Sequence, residues 1–322
     1  MAEWLVERGI GETRAALVAD GRIIEARIEL EGVVPAGSLV RARLTSNGIN
    51  GRNAIAISED GAEYLLPKGA GKTTQGACVG LEVTREAIPG AEPWKRPLAR
   101  LTDEEPGTIP PLSSRVGGRE LVFPSAVDEL GQAGWEELID EARSASVTFA
   151  GGELRLSSTP AMTLIDVDGY LAPGELAPVG AAEAARAVRR LGIGGSIGID
   201  LPTVRSKAAR QAAAEAIDGN LSQPFERTAV NGFGFVQIVR PRSHASLIEL
   251  ALDRVAFEAR ALLRRAGLEG PGARRLVAHP ALITMLAARP DWLETLSRQI
   301  GGAVSLRAAP GLPMSGAYAE AT

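Results

Sequence analysis

The sequence predicts a mixed α+β and α/β fold, with β structure dominating the N-terminal third. Three observations carry this. Short β-rich runs separated by Asn-Gly, Asp-Gly and Lys-Gly turns fill residues 37–87. Strand, helix, strand, helix and strand patterns alternate between residues 146 and 242, which implies at least one parallel pair. A strand–helix–strand pattern returns in the tail, residues 273–320.

Each element has a local reason. "EWLVERG" and "TRAALVADGRIIEARIEL" read as an opening hairpin, with Asp20-Gly21 as its turn. The runs "GSLVRARLTS", "NAIAISED", "AEYLLP" and "GACVGLEVTRE" are short, evenly punctuated strands, as in a small barrel of OB type. Residues 88–124 are rich in Pro and Gly and read as a linker or an irregular excursion. "SAVDELGQAGWEELIDEARS" has an N-cap serine and helical spacing of Val127, Leu130, Trp135, Leu138 and Ile139. "ASVTFAGGELRLSS" is a second hairpin, "AMTLIDVDG" a strand, "VGAAEAARAVRRLG" an alanine-rich helix, "GSIGIDLP" a strand and "VRSKAARQAAAEAID" a helix. "GFGFVQIVRPR" is another strand, and "SHASLIELALDRVAFEARALLRRAG" reads as one long amphipathic helix.

Composition narrows the function. The 322 residues are 45% hydrophobic and 23% charged, and the mean hydropathy is +0.04, which is globular. No run approaches the ~18 uninterrupted apolar residues of a membrane span, and "MAEWLVERGIGETRAAL" lacks an apolar signal core, so a cytoplasmic protein is expected. Cys78 is the single cysteine, which excludes an internal disulfide and a cysteine-rich zinc site. His244 and His279 are the only histidines, so a histidine metal cluster or a Ser-His-Asp triad is poorly supplied. Any metal is expected to be a hard cation held by carboxylates, magnesium or else manganese, and not zinc. A net charge of −4 argues against a general nucleic-acid coat, without excluding a local basic surface.

The candidate site follows from strand alternation. In "AMTLIDVDG", Met162, Leu164, Asp166 and Asp168 share one face. In "SIGIDL", Ser196, Gly198 and Asp200 share one face. If these strands are parallel neighbours joined by a right-handed crossover, their carboxylates emerge together at the end of the sheet where open α/β folds bind ligands. A lone aspartate there is as readily a turn former. A second at the matching end of the next strand favours a shared cation, because gathered carboxylates repel one another. Arg205 and Lys207 start the next helix, and Arg240 and Arg242 end the later strand. Carboxylates for a cation with basic groups nearby suit a phosphodiester, since the cation acidifies water and the basic groups hold phosphate. "LLPKGAGKTTQG" looks like a phosphate-binding loop, but Leu66 stands where the first Gly is required and a strand follows Thr73. Its Lys68 and Lys72 are candidates for nucleic-acid contact from a barrel rim. Cys78, within a strand, is expected to be a small core residue, and His279 a strand-end or helix-entry residue.

These segments together resemble the ribonuclease E/G family of bacterial endoribonucleases. "TRAALVADGRIIEARIE" resembles that family's first hairpin, and "AEYLLPKG" with "GACVGLEVTREA" its inserted OB-fold module. "AMTLIDVDG" resembles the catalytic "ALTAIDVNSG", "RRLGIGGSIGIDL" the second metal-ligand segment, and "GFGFVQIVRPR" the "RFGLLEMSRQR" strand. The tail resembles the small C-terminal domain. The resemblance implies a hairpin over 1–35 packing on a catalytic core and an OB-like RNA-binding module over 36–88. It implies a linker and reduced subdomain over 89–145, a DNase I-like catalytic domain over 146–243, and a long helix with a C-terminal domain over 244–322.

By position, Asp166 and Asp200 match the magnesium-binding aspartates, and Asp168 stands where the family has a supporting asparagine. The departures are specific. The cysteine zinc-link between subunits is missing, so any self-association would go without it. Gly232 replaces an arginine of the 5′-monophosphate sensor. Ile55, Ile57 and Leu65 replace the OB aromatics, and "DLPT" shortens an acidic "DFIDM". The implied activity is magnesium-dependent cleavage of single-stranded RNA by activated water, leaving a 5′-phosphate. The alternative is a non-catalytic RNA-binding or assembly protein of the same fold. A third reading is an unrelated phosphoesterase of small molecules, which would need a deep closed pocket.

Overall fold

The Asp20-Gly21 turn forms as expected, with φ of 50° and 72° at its two central residues, the positive pair that a tight hairpin requires. It joins β2 (Glu12–Ala19) to β3 (Arg22–Leu30), and β1 (Glu3–Arg8) pairs antiparallel with β2. The structure is a computed structural model that describes residues 1–48, 53–89, 95–107 and 109–322. The Asn50-Gly51 turn and part of the Pro/Gly-rich stretch lie outside the described residues.

Five strands then close a barrel: β4 (Leu39–Ser46), β5 (Ala54–Ser58), β6 (Glu63–Leu66), β7 (Cys78–Arg85) and β8 (Leu98–Thr102), in the order β4-β5-β6-β8-β7. Leu44, Tyr64, Leu66, Leu81 and Val83 fill its core. The fifth strand lies in the stretch read as linker. Lys68 and Lys72 are exposed in the β6–β7 loop, and no helix follows Thr73. Cys78 is exposed, not a core residue. Leu81 and Val83 point inward, so strand alternation turns Cys78 outward. Ile55, Ile57 and Leu65 are half-buried, out of phase with the inward Ala56 and Tyr64.

Residues 112–144 hold α1 (Leu112–Val116), β9 (Arg119–Leu121), α2 (Glu129–Gln132) and α3 (Trp135–Ser144). The helix expected here is divided at Gly134, where φ is +98°, and its N-cap is Asp128, which accepts from the Gly131 amide, not the serine.

The α/β segment builds β10 (Ser146–Phe149), β11 (Gly152–Ser158), β12 (Thr163–Gly169), α4 (Pro173–Arg190), β13 (Gly195–Asp200), α5 (Lys207–Asn220), β14 (Glu226–Arg227) and β15 (Phe235–Arg240). The sheet order is β10-β11-β12-β13-β15-β14, and only β12 and β13 run parallel. Ile165, Val167, Ile197, Ile199, Val236 and Ile238 are buried on one face. Helix α4 lies against β11 and β12, and α5 against α4. A Cβ on Gly180 would stand 2.3 Å from Val167 Cγ1, so glycine sets how closely α4 approaches. The opposite face is open, with Leu164 37% and Val239 52% exposed.

The long helix expected after residue 243 is two, α6 (Leu247–Leu252) and α7 (Arg254–Leu268), because Asp253 leaves the helix and caps α7 through the Ala256 amide. β16 (Arg274–Ala278), α8 (Pro280–Ala287), α9 (Pro290–Ile300), β17 (Val304–Ala308) and β18 (Tyr318–Ala321) complete the chain. His279 caps α8, accepting from the Ala281 amide, in the helix-entry place expected of it. Among the described residues, no helix is long and apolar enough to cross a membrane.

The chain forms two units. The first joins 1–31, 112–140 and 250–322, and the second joins 32–111 and 141–249. In the first, Ile10 packs with Leu262, Leu276, Leu286, Trp292 and Leu296. Beside this apolar cluster runs a buried ionic chain. Arg14 meets Glu7 at 2.6 Å and Glu12 at 2.7 Å, Arg260 meets Glu12 at 2.9 Å, and Arg264 meets Glu7 at 3.0 Å and Asp128 at 2.6 Å. Burial works against the charge on Arg264, but Glu7 and Asp128 outweigh it and push its pKa up.

Candidate active site

Asp166 and Asp200 face each other directly across the parallel pair β12–β13, about 4.8 Å apart in backbone spacing. Both are exposed, on the sheet face away from α4. Two residues further along β12 comes Asp168. On the other side of β12, the antiparallel β11 sets Arg155 opposite Asp166 and Glu153 opposite Asp168. Beyond β13, Phe235 stands opposite Asp200. Gly198 sits two residues before Asp200 on this face. A Cβ there would come within 2.7 Å of Phe235 Cζ and 2.9 Å of Leu164 Cδ2, so the glycine lets an aromatic and a leucine side chain close over the strand beside the carboxylates.

The electrostatics follow. The Asp166 carboxyl is raised above its usual range by partial burial, then by the charges of Asp168 and Asp200, with Arg155 opposing. Its ionised form is therefore disfavoured in the fold. Among the described residues, no group of three or more His, Cys, Asp or Glu side chains is arranged to hold a metal ion. Two carboxylates are nevertheless enough for magnesium, which keeps most of its waters and commonly takes only one or two protein carboxylates. Asp166 and Asp200 fit that pattern, and their mutual repulsion is what a cation would relieve.

This has a sign. A carboxyl whose folded pKa lies above its unfolded value destabilises the fold once both states are ionised, and the penalty fades as pH falls through the folded pKa. Without divalent cation, Asp166→Asn is expected to melt higher than the parent at pH 7, with the gap narrowing as the pH falls through the raised pKa of the Asp166 carboxyl. Magnesium is expected to raise the parent's melting temperature at neutral pH and not at the acidic end. Scanning calorimetry with chelator or magnesium checks both. Equal melting in all four conditions would show that the carboxylates neither repel nor share an ion.

The basic candidates divide. Ser206 caps α5, accepting from the Ala209 amide, and Arg205 and Lys207 flank it, exposed, beyond the same strand end as Asp200. The loop between is tied back by Thr203 Oγ1 donating to the Phe233 carbonyl at 3.0 Å. Arg240 and Arg242 are not brought to the aspartates. β15 runs antiparallel to β13, so Arg240 pairs with Gly195, at the far end of the strand from Asp200. Its guanidinium donates to the Ile193 carbonyl at 3.3 Å, and Arg242 is bonded to Glu249. Lys68 and Lys72 belong to the barrel loop.

Arg155, Phe235, Tyr170 and Phe233 are the residues that sequence reading missed. Arg155 was recoverable, because a tight turn between β11 and β12 would have set the hairpin register. No family model and no curated protein matches the chain.

Proposed function

We propose that the protein is a magnesium-dependent endoribonuclease, similar to a compact ribonuclease E/G, that cuts single-stranded RNA and leaves a 5′-phosphate. The observation that carries this reading is the direct pairing of Asp166 with Asp200 on adjacent parallel strands, on an open face where a long polymer has access. In this reading the five-stranded barrel is an OB-type RNA-binding module and the six-stranded sheet with its helices a DNase I-like catalytic domain.

Asp166 and Asp200 would hold magnesium, or manganese in its place. The ion supplies Lewis acidity at a phosphoryl oxygen and lowers the pKa of water. The protein's own part is positioning. Asp168 adds negative charge two residues from Asp166 and orients the hydrated ion. Arg155, across from Asp166, tempers the carboxylates and offers a donor to a phosphate. Arg205 and Lys207 add positive charge at the free amides opening α5. Arg240 and Arg242, at the other end of β13, take no part in the cut, and Lys68 and Lys72, exposed in the barrel loop, contact the RNA away from it.

The test is a labelled single-stranded RNA incubated with the purified chain in magnesium or in chelator. Internal cuts only with magnesium, each leaving a 5′-phosphate, are expected. The lack of a three-ligand group among the described residues favours one second reading, a non-catalytic RNA-binding or assembly protein of the same fold. Binding without cuts would select it, and no binding would remove both.

A further inference from the structure

We propose that Tyr170 and Phe233 are base-stacking residues flanking the paired aspartates, and that they admit a nucleic-acid strand only where its bases are unpaired. This deepens, and rests on, the phosphodiesterase reading of the same site.

Tyr170 is 82% exposed and Phe233 81%. Aromatics are only 4% of the chain, and most rings among the described residues are buried or half-buried. Leaving a ring in water forgoes the stabilisation of burying it, so two such rings at one place call for a reason. Both belong to the end of the sheet that carries the carboxylates. Tyr170 directly follows β12, two residues past Asp168. Phe233 lies two residues before Phe235, the partner of Asp200. In the order β12-β13-β15, the two residues therefore adjoin the strands on either side of the Asp200 strand, Tyr170 about 13 Å and Phe233 about 7 Å of strand length beyond the level of the Asp166–Asp200 pair.

The backbones that present them are fixed. The Tyr170 amide donates to the Gly151 carbonyl at 3.1 Å. The Asn231 side-chain oxygen accepts from the Phe233 amide at 2.9 Å and the Phe235 amide at 3.1 Å. Gly234 turns with φ +94° where a Cβ would stand 2.1 Å from the Leu201 carbonyl oxygen. A loop this constrained that still holds its ring in solvent is pre-organised for a ligand and not a frayed end.

The chemistry names that ligand. The carboxylates and their cation engage a phosphodiester and have no use for an aromatic plane. Bases supply π faces on either side of the phosphate, and stacking tolerates any base. In a duplex those faces are already covered, so the rings select single strands. Stacking does not sense the 2′-hydroxyl, so single-stranded DNA would meet the same rings.

The test measures binding apart from cutting. A short fluorescein-labelled RNA, single-stranded or annealed to its complement, is titrated by anisotropy against the full chain carrying Asp200→Asn, with a gel confirming that the RNA stays intact. Adding Tyr170→Ala or Phe233→Ala is expected to weaken single-strand binding by roughly 5- to 100-fold each. Tyr170→Phe and Phe233→Tyr keep the plane and are expected to keep the affinity. Single-stranded DNA should lose affinity in parallel, and the duplex should bind weakly throughout. Alanine variants that bind like their parent, equal affinity for duplex and single strand, or no binding at all would each overturn the proposal, and the rings would then mark a protein contact. If alanine variants of the otherwise unaltered chain cut and bind as it does, stacking fails and the nuclease reading stands. If the unaltered chain stacks RNA but never cuts it in magnesium, the reverse holds.

Discussion

Replacing Asp200 by asparagine is expected to lower magnesium-dependent RNA cleavage about a thousandfold, and Asp166→Asn to do the same. The side chains keep their shape and lose only charge. Both are exposed, Asp166 midway along β12 and Asp200 at the end of β13, and the inward neighbours Ile165, Val167, Ile197 and Ile199 hold the sheet together, so folding is not at stake. Asp168→Asn should cost far less, since Asp168 lies two residues further along β12 and is not paired across the sheet with Asp200. The measurement is single-turnover cleavage in saturating magnesium, which separates chemistry from product release. A loss smaller than about fivefold for either of the paired residues would remove the metal site from the proposed mechanism. Repulsion within the cluster supplies a second signature. The variant that loses activity should melt higher than the parent in chelator, whereas a variant that merely misfolds would melt lower.

Arg264→Ala is expected to destabilise the first unit by about 3–5 kcal/mol, read as a lower urea midpoint with an unchanged slope. The Arg264 side chain is 1% exposed and bonds Glu7, itself 4% exposed. Removing it strands a buried carboxylate that retains only Arg14. Asp128, the cap of α2, loses its partner as well. The cost is that of an uncompensated charge and does not measure what the pair contributes. Arg264→Lys should fall between, because one ammonium cannot serve both Glu7 and Asp128 as a planar fork does. A loss under about 1 kcal/mol for the alanine variant, the ordinary worth of an exposed ion pair, would mean that water reaches these groups.

Legibility in the sequence followed the range of the interactions. Asp20-Gly21 declared its turn because two positive φ angles are a local demand. The apolar alternation around Asp166 and Asp200 was also local, so which face each carboxylate takes was readable before any pairing was known. What escaped depended on partners distant in sequence. Arg240 and Arg242 were assigned to the site because they end a strand, but the antiparallel direction of β15 carries that end away from Asp200. Asp253 hid its helix break because a capping aspartate and an exposed mid-helix aspartate look alike without the Ala256 amide. The inward-facing polar residues Glu7, Glu12 and Arg14 gave no sign of burial, since their partners Arg260 and Arg264 come some 250 positions later. The strand Leu98–Thr102 was masked by prolines on both sides.

The first unit is assembled from three stretches of chain, and its oldest and youngest residues share a core. During synthesis, Ile10 leaves the ribosome long before Leu262, Leu276 or Trp292 exists, and Glu7 and Glu12 wait equally long for their arginines. The second unit, whose residues are all made by position 249, can close while the opening strands still lack their covering. A chain truncated at that position should therefore carry a finished α/β sheet, while its amino-terminal meander stays vulnerable to chaperones and proteases.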